Sequence, residues 1–332
     1  MTTSYRIFGS ELSPYSVKVR SYFRYKGIPH VWTPRTIQNQ AEFDQHAKLP
    51  LIPLVLGDDG TAMQDSTPII EKMEARVPEP SITPADPVAA FVSVLLEEYG
   101  DEWGNKPMFH YRWFYEADAQ SAAERIARDM NPELPADAFE TVVGAVKGRM
   151  VPRLAFVGSS EATKDRIEGS YRRQLALLEK HLATRPYLFG GRPAFGDFGV
   201  WAQLYECSTD PTPGAIVRAE APAAQRWIDR MLDPKAEGVF EPWSALAPTL
   251  EPFLRDEVAA TFLPWTVANA AALAAGEKEF TVQMGGAPFR QETQKYHARS
   301  LGKLREKYAA VADRAAVDAI LERTGCLAAL RG

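Results

Sequence analysis

The stretch YRIFGSELSPYSVKVRSYFRYKG at residues 5–27 decides the fold of the N-terminal part of the chain. Its first five residues form a short apolar run that stops at glycine, which is typical of a β-strand. Ser13 followed by Pro14 is typical of a helix start, because serine caps free N–H groups and proline is tolerated in the first turn. The following residues predict a helix as far as Lys26, with Gly27 as its C-terminal cap. The chain therefore begins with a strand that leads into a helix.

Short elements of alternating type continue outward from this stretch to about residue 76. The sequence predicts a strand at 30–33, a short helix or turn at 41–47, a hairpin at 54–63 and a helix from 66 to 76. The resulting order is β-α-β-α-β-β-α. Four prolines between residues 78 and 87 are typical of a linker.

Beyond this linker the apolar residues recur with the period of helices, and the segments are long and rich in alanine. The sequence predicts helices at about 86–104, 108–129, 135–157, 160–184, 197–207, 220–232, 250–275, 290–310 and 313–324. Gly190-Gly191 and the Pro211/Pro213 pair interrupt this pattern, and residues 280–284 predict a short strand or a turn. We therefore expect an α/β domain at residues 1–80 and an all-α domain at residues 86–332.

Composition and charge exclude several classes of protein. With 332 residues, 45% of them apolar, the chain can form two or three globular domains. Its formal charge of −5, without any basic run, argues against nucleic acid as a partner. No apolar stretch approaches the roughly 18–20 residues that span a membrane, and the N-terminus lacks a signal-peptide pattern. Cys207 and Cys326 are too few for a disulfide framework or a cysteine zinc site, so we expect a cytoplasmic protein with unpaired thiols and no metal.

Three motifs stand in order in the N-terminal part: SPY at residues 13–15, LIPLV at 51–55 and QDSTPII at 64–70. Together they resemble motifs of the glutathione S-transferase superfamily. SPY at residues 13–15 is similar to the Ser/Cys-Pro-aromatic start of the first helix in serine- and cysteine-type members. LIPLV at 51–55 is similar to the segment that leads into the third strand, and QDSTPII at 64–70 to the start of the third helix. FGGRPAFGD at 189–197 resembles a helix start in the family's C-terminal domain. The resemblance, which covers residues 4–230, implies a thioredoxin-like α/β domain followed by an all-helical domain.

The resemblance implies that Ser13 is the catalytic residue of a serine-type member, with glutathione as its co-substrate. A cysteine thiol has a pKa of about 8.5, and lowering it by about two units requires roughly 2.7 kcal/mol. A hydrogen bond to a charged group contributes about 1.5–3 kcal/mol and a helix N-terminus about 0.3–1 kcal/mol. The structural alternative for Ser13 is a helix cap without a ligand. Ser10 and Ser16 are rivals for the catalytic role, and Phe8 stands where tyrosine-type members carry their hydroxyl.

Four further residues are implied to bind glutathione. The Ile52 backbone would pair with the cysteinyl amide, as a sheet edge captures an extended peptide. Pro53 matches the family's cis-proline, for which a purely architectural role is the alternative. Ser66 and the N–H groups at its helix start would bind the γ-glutamyl carboxylate. Asp65 would bind the ammonium group of the same moiety or cap the helix.

The chain departs from the family where the glycine carboxylate of glutathione would bind. Leu51 stands where many members carry a basic or amide residue. The side chains that could replace it are Gln38, Gln45, His46 and Lys48. Asp197, which belongs to the helix start at 189–197, is expected to be structural.

An aromatic cluster begins the helical part, and by resemblance this region lines the site for a small hydrophobic substrate. Its members are Trp103, Phe109, Tyr111, Trp113, Phe114 and Tyr115. We select Tyr111 and Trp113 as site residues because each combines a ring with a polar group, with Trp103 as a substitute and an ordinary helical core as the structural alternative. We expect His110 to be structural, and Asp101 and Glu102 to be solvated charges.

From about residue 240 the chain extends past the usual family length, and we expect this extension to enlarge the core. The resemblance thus implies a homodimeric glutathione transferase that acts on a hydrophobic electrophile. Leu51 and the extension favour an alternative, a non-catalytic binding or assembly protein of the same fold. A third hypothesis is glutathione-dependent isomerisation or peroxide reduction, which uses the same thiolate.

Overall fold

A computed structural model describes residues 4–332, and the N-terminal part is built on a four-stranded sheet. Its strands are β1 (Tyr5–Gly9), β2 (His30–Pro34), β3 (Leu54–Gly57) and β4 (Ala62–Gln64), and its helices are α1 (Pro14–Tyr25), α2 (Gln40–His46) and α3 (Ser66–Arg76). The strand order is β2-β1-β3-β4, with β1 parallel to β2 and antiparallel to β3, and with β4 antiparallel to β3. The predicted order β-α-β-α-β-β-α and the thioredoxin-like class are confirmed.

Helix α1 forms where the sequence predicts it. Ser13 has an extended backbone and caps the helix through its side chain, and Pro14 occupies the first helical position. Gly27 follows the helix at a φ of 62°, a conformation that glycine adopts without a steric penalty. Val17 and Tyr22 are fully buried, which fixes the helix against the sheet and against the helical part of the chain.

The second part of the chain is mostly helical. Its helices up to residue 230 are α4 (Pro87–Tyr99), α5 (Asn105–Phe114), α6 (Glu116–Met130), α7 (Ala136–Met150), α8 (Lys164–Leu182), α9 (Phe195–Thr209), α10 (Pro211–Glu220) and α11 (Pro222–Arg230). A π-helical segment at Gly100–Gly104 joins α4 to α5, and a 3₁₀ segment at Val151–Val157 follows α7. The boundary between domains at 80–86 stays a prediction, and it falls between the end of α3 and the start of α4.

The extension contains further helices and a hairpin. Its elements are α12 (Trp243–Phe253), a π-helical segment (Leu254–Phe262), α13 (Leu263–Ala274), β5 (Glu279–Met284), β6 (Ala287–Glu292), α14 (Lys295–Ala309), α15 (Arg314–Arg323) and α16 (Leu327–Arg331). As expected, it enlarges the core: the rings of Trp265 and Phe289 lie 5.8 Å and 5.9 Å from the ring of Trp103. Within residues 4–332, no helix combines the length and the apolar character needed to cross a bilayer.

The second part is mostly helical, as expected, with one hairpin among its helices. The strand or turn expected at residues 280–284 is β5, and Gly285 and Gly286, which both have positive φ, join it to the antiparallel β6. The helix expected from residue 290 therefore begins only at Lys295. Pro211 and Pro213 mark the expected break, because α9 ends at Thr209 and both prolines lie in the first turn of α10, where a missing N–H removes no helical hydrogen bond.

Candidate functional site

One edge of the sheet collects the segments that the sequence assigned to the site. Phe8 of β1 pairs with Leu54 of β3, and Leu54 pairs in turn with Gln64 of β4. Because β1 and β4 end near this row while β3 begins in it, the loops beyond the row are neighbours. The register thereby brings three segments to one edge: Ser13, Ile52–Pro53 and Asp65–Ser66.

Ser13 is half-buried at the start of α1. Its Oγ accepts hydrogen bonds from the backbone N–H of Ser16 at 3.3 Å and from the Ser16 hydroxyl at 3.0 Å. Ser16 is fully buried and supports Ser13 from inside, whereas Ser10 contacts Asp129 and accepts the N–H of Leu12 at 3.2 Å. In the described part of the chain, no acceptor takes the Ser13 hydroxyl proton. This proton is therefore available to an anion beside the start of α1.

The loop before β3 presents backbone groups to the same edge. The peptide bond between Ile52 and Pro53 is cis. Gln64 holds the preceding loop through four hydrogen bonds of 2.8–3.1 Å to the backbone of residues 48–51. Between residues 4 and 332, the N–H and C=O of Ile52 have no hydrogen-bond partner. These two groups can pair with an extended peptide, as free strand edges do.

The start of α3 combines free N–H groups with a carboxylate. Asp65 has a φ of 73°, and its side chain makes no capping bond to α3. The Tyr296 hydroxyl lies 3.4 Å and 3.3 Å from the two Asp65 oxygens. Ser66 is buried, and its hydroxyl lies 3.4 Å from Lys18 Nζ. The first-turn N–H groups of α3, which lack intrahelical acceptors, suit a carboxylate ligand.

Lys18 is a buried charge that the sequence analysis missed. Its Nζ lies 2.5 Å from Glu97 and 2.6 Å from Asp101, directly behind the start of α3. Burial raises the pKa of the Asp101 carboxyl, and Glu97 adds to the rise, whereas Lys18 opposes it. The expectation that Asp101 and Glu102 are solvated was wrong, since the π-helical segment packs against α9 and leaves them 7% and 5% exposed.

Within residues 4–332, no group of three or more His, Cys, Asp or Glu side chains has the arrangement of a metal site. Asp197 has the structural environment expected for it, because it is fully buried and accepts N–H bonds from Leu188, Ala194 and Trp227. His110 is also enclosed, between the Ser159 hydroxyl and Glu168.

The aromatic residues chosen for a second-substrate site lie in the core. Tyr111 and Trp113 are 1% and 2% exposed, which counts against direct contact with a ligand. Tyr111 packs against Tyr171 with ring centroids 5.2 Å apart, and Trp113 packs in a cluster formed by α6 and α7. Helical spacing alone could not separate these buried positions from surface ones. Phe109 is partly exposed and packs against the same cluster as Leu12, next to Ser13.

Arg35 is a second residue that the sequence analysis missed. It follows β2, and its Nη1 donates to the carbonyl of Pro50 at 3.0 Å, two residues before Ile52. The parallel pairing of Gly9 with Pro34 brings the ends of β1 and β2 to one edge, so strand order could have indicated Arg35. Leu51 is 60% exposed. The alternatives Gln38, Gln45, His46 and Lys48 are also exposed.

Two family models match the chain in the order that the fold requires. The model of the glutathione S-transferase N-terminal domain matches residues 7–81. The model of the glutathione S-transferase C-terminal domain matches residues 161–230. Both parts of the chain thus match models of the glutathione S-transferase superfamily, which supports its place in that superfamily.

Three solved structures are similar to this chain. A glutathione S-transferase from Methylobacterium radiotolerans, in complex with glutathione sulfonate, is 22% identical; the match covers 74% of this chain and 94% of that chain, with a TM-score of 0.44. A glutathione S-transferase from Methylobacillus flagellatus with GSH bound is 17% identical, with coverage of 69% and 94% and a TM-score of 0.42. FzlA from C. crescentus is 19% identical, with coverage of 70% and 90% and a TM-score of 0.44. No curated protein matches the chain.

Proposed function

We propose that this chain binds glutathione at the sheet edge and uses Ser13 to activate the thiol for transfer to a hydrophobic electrophile. The observation that carries this proposal is the state of the Ser13 hydroxyl. Its oxygen accepts two hydrogen bonds from Ser16, so its proton is the group left to donate. A donor in this position, at a helix N-terminus, stabilises a thiolate relative to a thiol.

The dimensions of the sheet suit an extended tripeptide. Neighbouring strands lie about 4.8 Å apart, so the path from β4 across β3 to β1 is about 10 Å long. From the γ-glutamyl group to the cysteinyl sulfur, an extended tripeptide covers about the same distance, with two residues at about 3.3 Å each and one side chain. The γ-glutamyl group would lie on Asp65 and Ser66 and the cysteinyl backbone on Ile52, which leaves the sulfur beside Ser13. For the glycine carboxylate we propose Arg35.

The hydrophobic electrophile needs an apolar surface next to the sulfur. Phe109 supports this part of the proposal, since it is partly exposed and shares a hydrophobic cluster with Leu12. Tyr111 and Trp113 are buried, so we propose that they lie beneath this apolar surface and support it without contacting the electrophile. A homodimer and a cytoplasmic location stay predictions.

A second candidate function is binding or assembly without transferase activity. Leu49 and Leu51 favour it, because they are 57% and 60% exposed beside the proposed site. Exposed apolar side chains of this size are typical of a surface that binds another protein. Leu51 also has no polar group that could bind the glycine carboxylate of glutathione. In the first function Ser13 activates the glutathione thiol, whereas in the second Ser13 has no catalytic role.

The test uses three variants of the full chain, glutathione and an activated aryl halide. We expect Ser13→Ala to slow conjugation at neutral pH by about 10–100-fold and to change the glutathione Kd by less than about threefold. We expect Ser66→Ala to weaken glutathione binding by about tenfold or more. Ser244→Ala is the matched control, because Ser244 is exposed on α12, and it should change neither quantity. An unchanged conjugation rate in Ser13→Ala would falsify the catalytic assignment.

A further inference from the structure

The extension reaches the proposed glutathione site through α14. Tyr296 lies in the first turn of this helix, with its hydroxyl 3.4 Å and 3.3 Å from the two oxygens of Asp65. The two residues are 231 positions apart in sequence, and neither family model covers Tyr296. We propose that Tyr296 is a specificity-determining residue that selects, together with Asp65, the α-ammonium group of the γ-glutamyl moiety. This inference rests on the proposed function.

Contacts on both sides of Tyr296 fix the start of α14. Asn269 of α13 donates to the Gln294 carbonyl at 2.9 Å and accepts the Gln294 N–H at 2.8 Å. The His297 ring packs on Trp265 with centroids 4.7 Å apart, and its imidazole contacts a carboxylate of the π-helical segment at 100–104. The position of the Tyr296 hydroxyl is therefore set by a packed element.

Tyr296 and Asp65 are nevertheless open to a ligand. Tyr296 is 50% exposed, and its distances to Asp65 are at the long end of the hydrogen-bond range. Among the residues from 4 to 332, the carboxylate of Asp65 accepts no other hydrogen bond and forms no ion pair. A carboxylate in this state beside a phenol hydroxyl suits a primary ammonium group, which offers three N–H donors.

The surrounding charges also favour a cation at this position. Burial raises the pKa of the Asp65 carboxyl. The negative charges of Glu97 and Glu102 add to this rise, and the positive charge of Lys18 opposes it. Lys18 is shared between Glu97 and Asp101, so carboxylates outnumber ammonium groups behind the start of α3. A bound ammonium group would reduce this local repulsion.

The test is isothermal titration calorimetry of the full chain with glutathione as the probe. Tyr296→Phe removes the hydroxyl and keeps the ring. Tyr308→Phe is the matched control, because it removes a hydroxyl on the same helix that is bonded to Asp318. Asp65→Asn removes the charge, and asparagine tolerates a positive φ. We expect Tyr296→Phe to raise the Kd by about 3–10-fold, Tyr308→Phe to leave it within about twofold, and Tyr296→Phe to have no further effect in the Asp65→Asn background.

The outcomes separate this inference from the proposed function. If the parent chain does not bind glutathione at millimolar concentration, the proposed function fails and the inference fails with it. If the parent binds and Tyr296→Phe binds equally well or more tightly, only the inference fails, because the hydroxyl then adds nothing or obstructs the site. An equal loss in the Asp65→Asn background, or a similar loss in Tyr308→Phe, also overturns it.

Discussion

At the scale of single residues, burial determines which side chains can do chemistry. Ser13 and Ser16 lie on the same helical turn, yet Ser16 is fully enclosed and Ser13 is half-buried. A hydroxyl inside the core supports its neighbour, whereas a hydroxyl at the helix start can reach a ligand. The same difference separates Phe109 from Tyr111, and sequence spacing shows neither.

His181 provides a prediction at this scale. Its two ring nitrogens lie 2.7 Å from the Thr249 hydroxyl and 2.8 Å from the Leu188 carbonyl, and burial lowers the pKa of His181 to about 4. The unfolded histidine has a pKa of about 6.5, so the unfolded state binds more protons between about pH 4 and pH 6.5. Stability therefore falls as the pH drops through this window, by about 2 kcal/mol from this residue at pH 4.5.

The measurement is urea unfolding of the parent chain and of His181→Gln at pH 7 and at pH 4.5. Glutamine keeps hydrogen-bonding groups but does not titrate, so the variant should lose about 2 kcal/mol less stability between the two pH values. Equal losses in both chains would show that His181 does not carry this pH dependence.

At the scale of elements, glycine residues allow helices α4 and α9 to pack closely against each other. A Cβ atom on Gly199 of α9 would lie 2.6 Å from the carbonyl oxygen of Glu97 in α4. A Cβ atom on Gly100 would lie 2.4 Å from the backbone of Gly199. This packing places Glu97 of α4 and Asp101 of the π-helical segment next to α1. There Lys18 neutralises part of their charge.

Gly199→Ala should therefore push α9 away from α4 and reduce the free energy of unfolding by about 1–3 kcal/mol. Gly144→Ala is the matched control, because Gly144 lies inside α7 and a Cβ atom added there would have no neighbouring atom within 4 Å. There alanine should raise stability by about 0.5–1 kcal/mol, since it restricts the unfolded chain and favours the helix. Chemical denaturation measures both changes, and a shift of the same sign in the two variants would contradict the explanation.

Arg112 of α5 connects α9 and the start of α10 to the loop that carries Ser13. Its guanidinium bonds Asp210 at 2.8 Å and Glu206 at 2.7 Å, and it donates to the Leu12 carbonyl at 2.9 Å. All three charged residues are buried, so each depends on the others for neutralisation. The Ser13 loop is thus held by a helix about 100 residues further along the chain.

At the scale of the whole molecule, one hydrophobic core runs through both parts of the chain. It contains residues from Tyr5 in β1 to Leu330 in α16. The hairpin of the extension contributes Phe289, which is fully buried and packs on Trp103. The extension is therefore part of the folding unit and not an attachment to its surface.

Phe289→Ala should accordingly destabilise the whole chain and not only the hairpin. We expect the free energy of unfolding to fall by about 3–5 kcal/mol, with fluorescence and far-UV circular dichroism following one shared transition. Phe156→Ala is the control, since Phe156 is 51% exposed and its loss should change stability by less than about 0.5 kcal/mol. A separate early transition that involves only the extension would contradict a common core.

The strand–helix start at Ser13–Pro14, the order of the first seven elements and the family could all be predicted from sequence. Capping, turn formation and proline geometry act between neighbouring residues, so their signals are present in short stretches. The hairpin at 279–292 was only partly visible, because Gly285-Gly286 indicates a turn but the following strand, APFRQE at 287–292, contains a proline and no β-branched residue.

The sequence alone thus determined which hydroxyl begins α1, where the cis-proline lies, and which motif starts α3. The tertiary structure decided that Lys18 is buried between Glu97 and Asp101, and that Tyr296 stands beside Asp65. These contacts join elements 79 to 231 residues apart, and they form only when the helices and the sheet bury their apolar faces together. No local pattern encodes such a pairing, because its energy comes from desolvation and packing of the whole core.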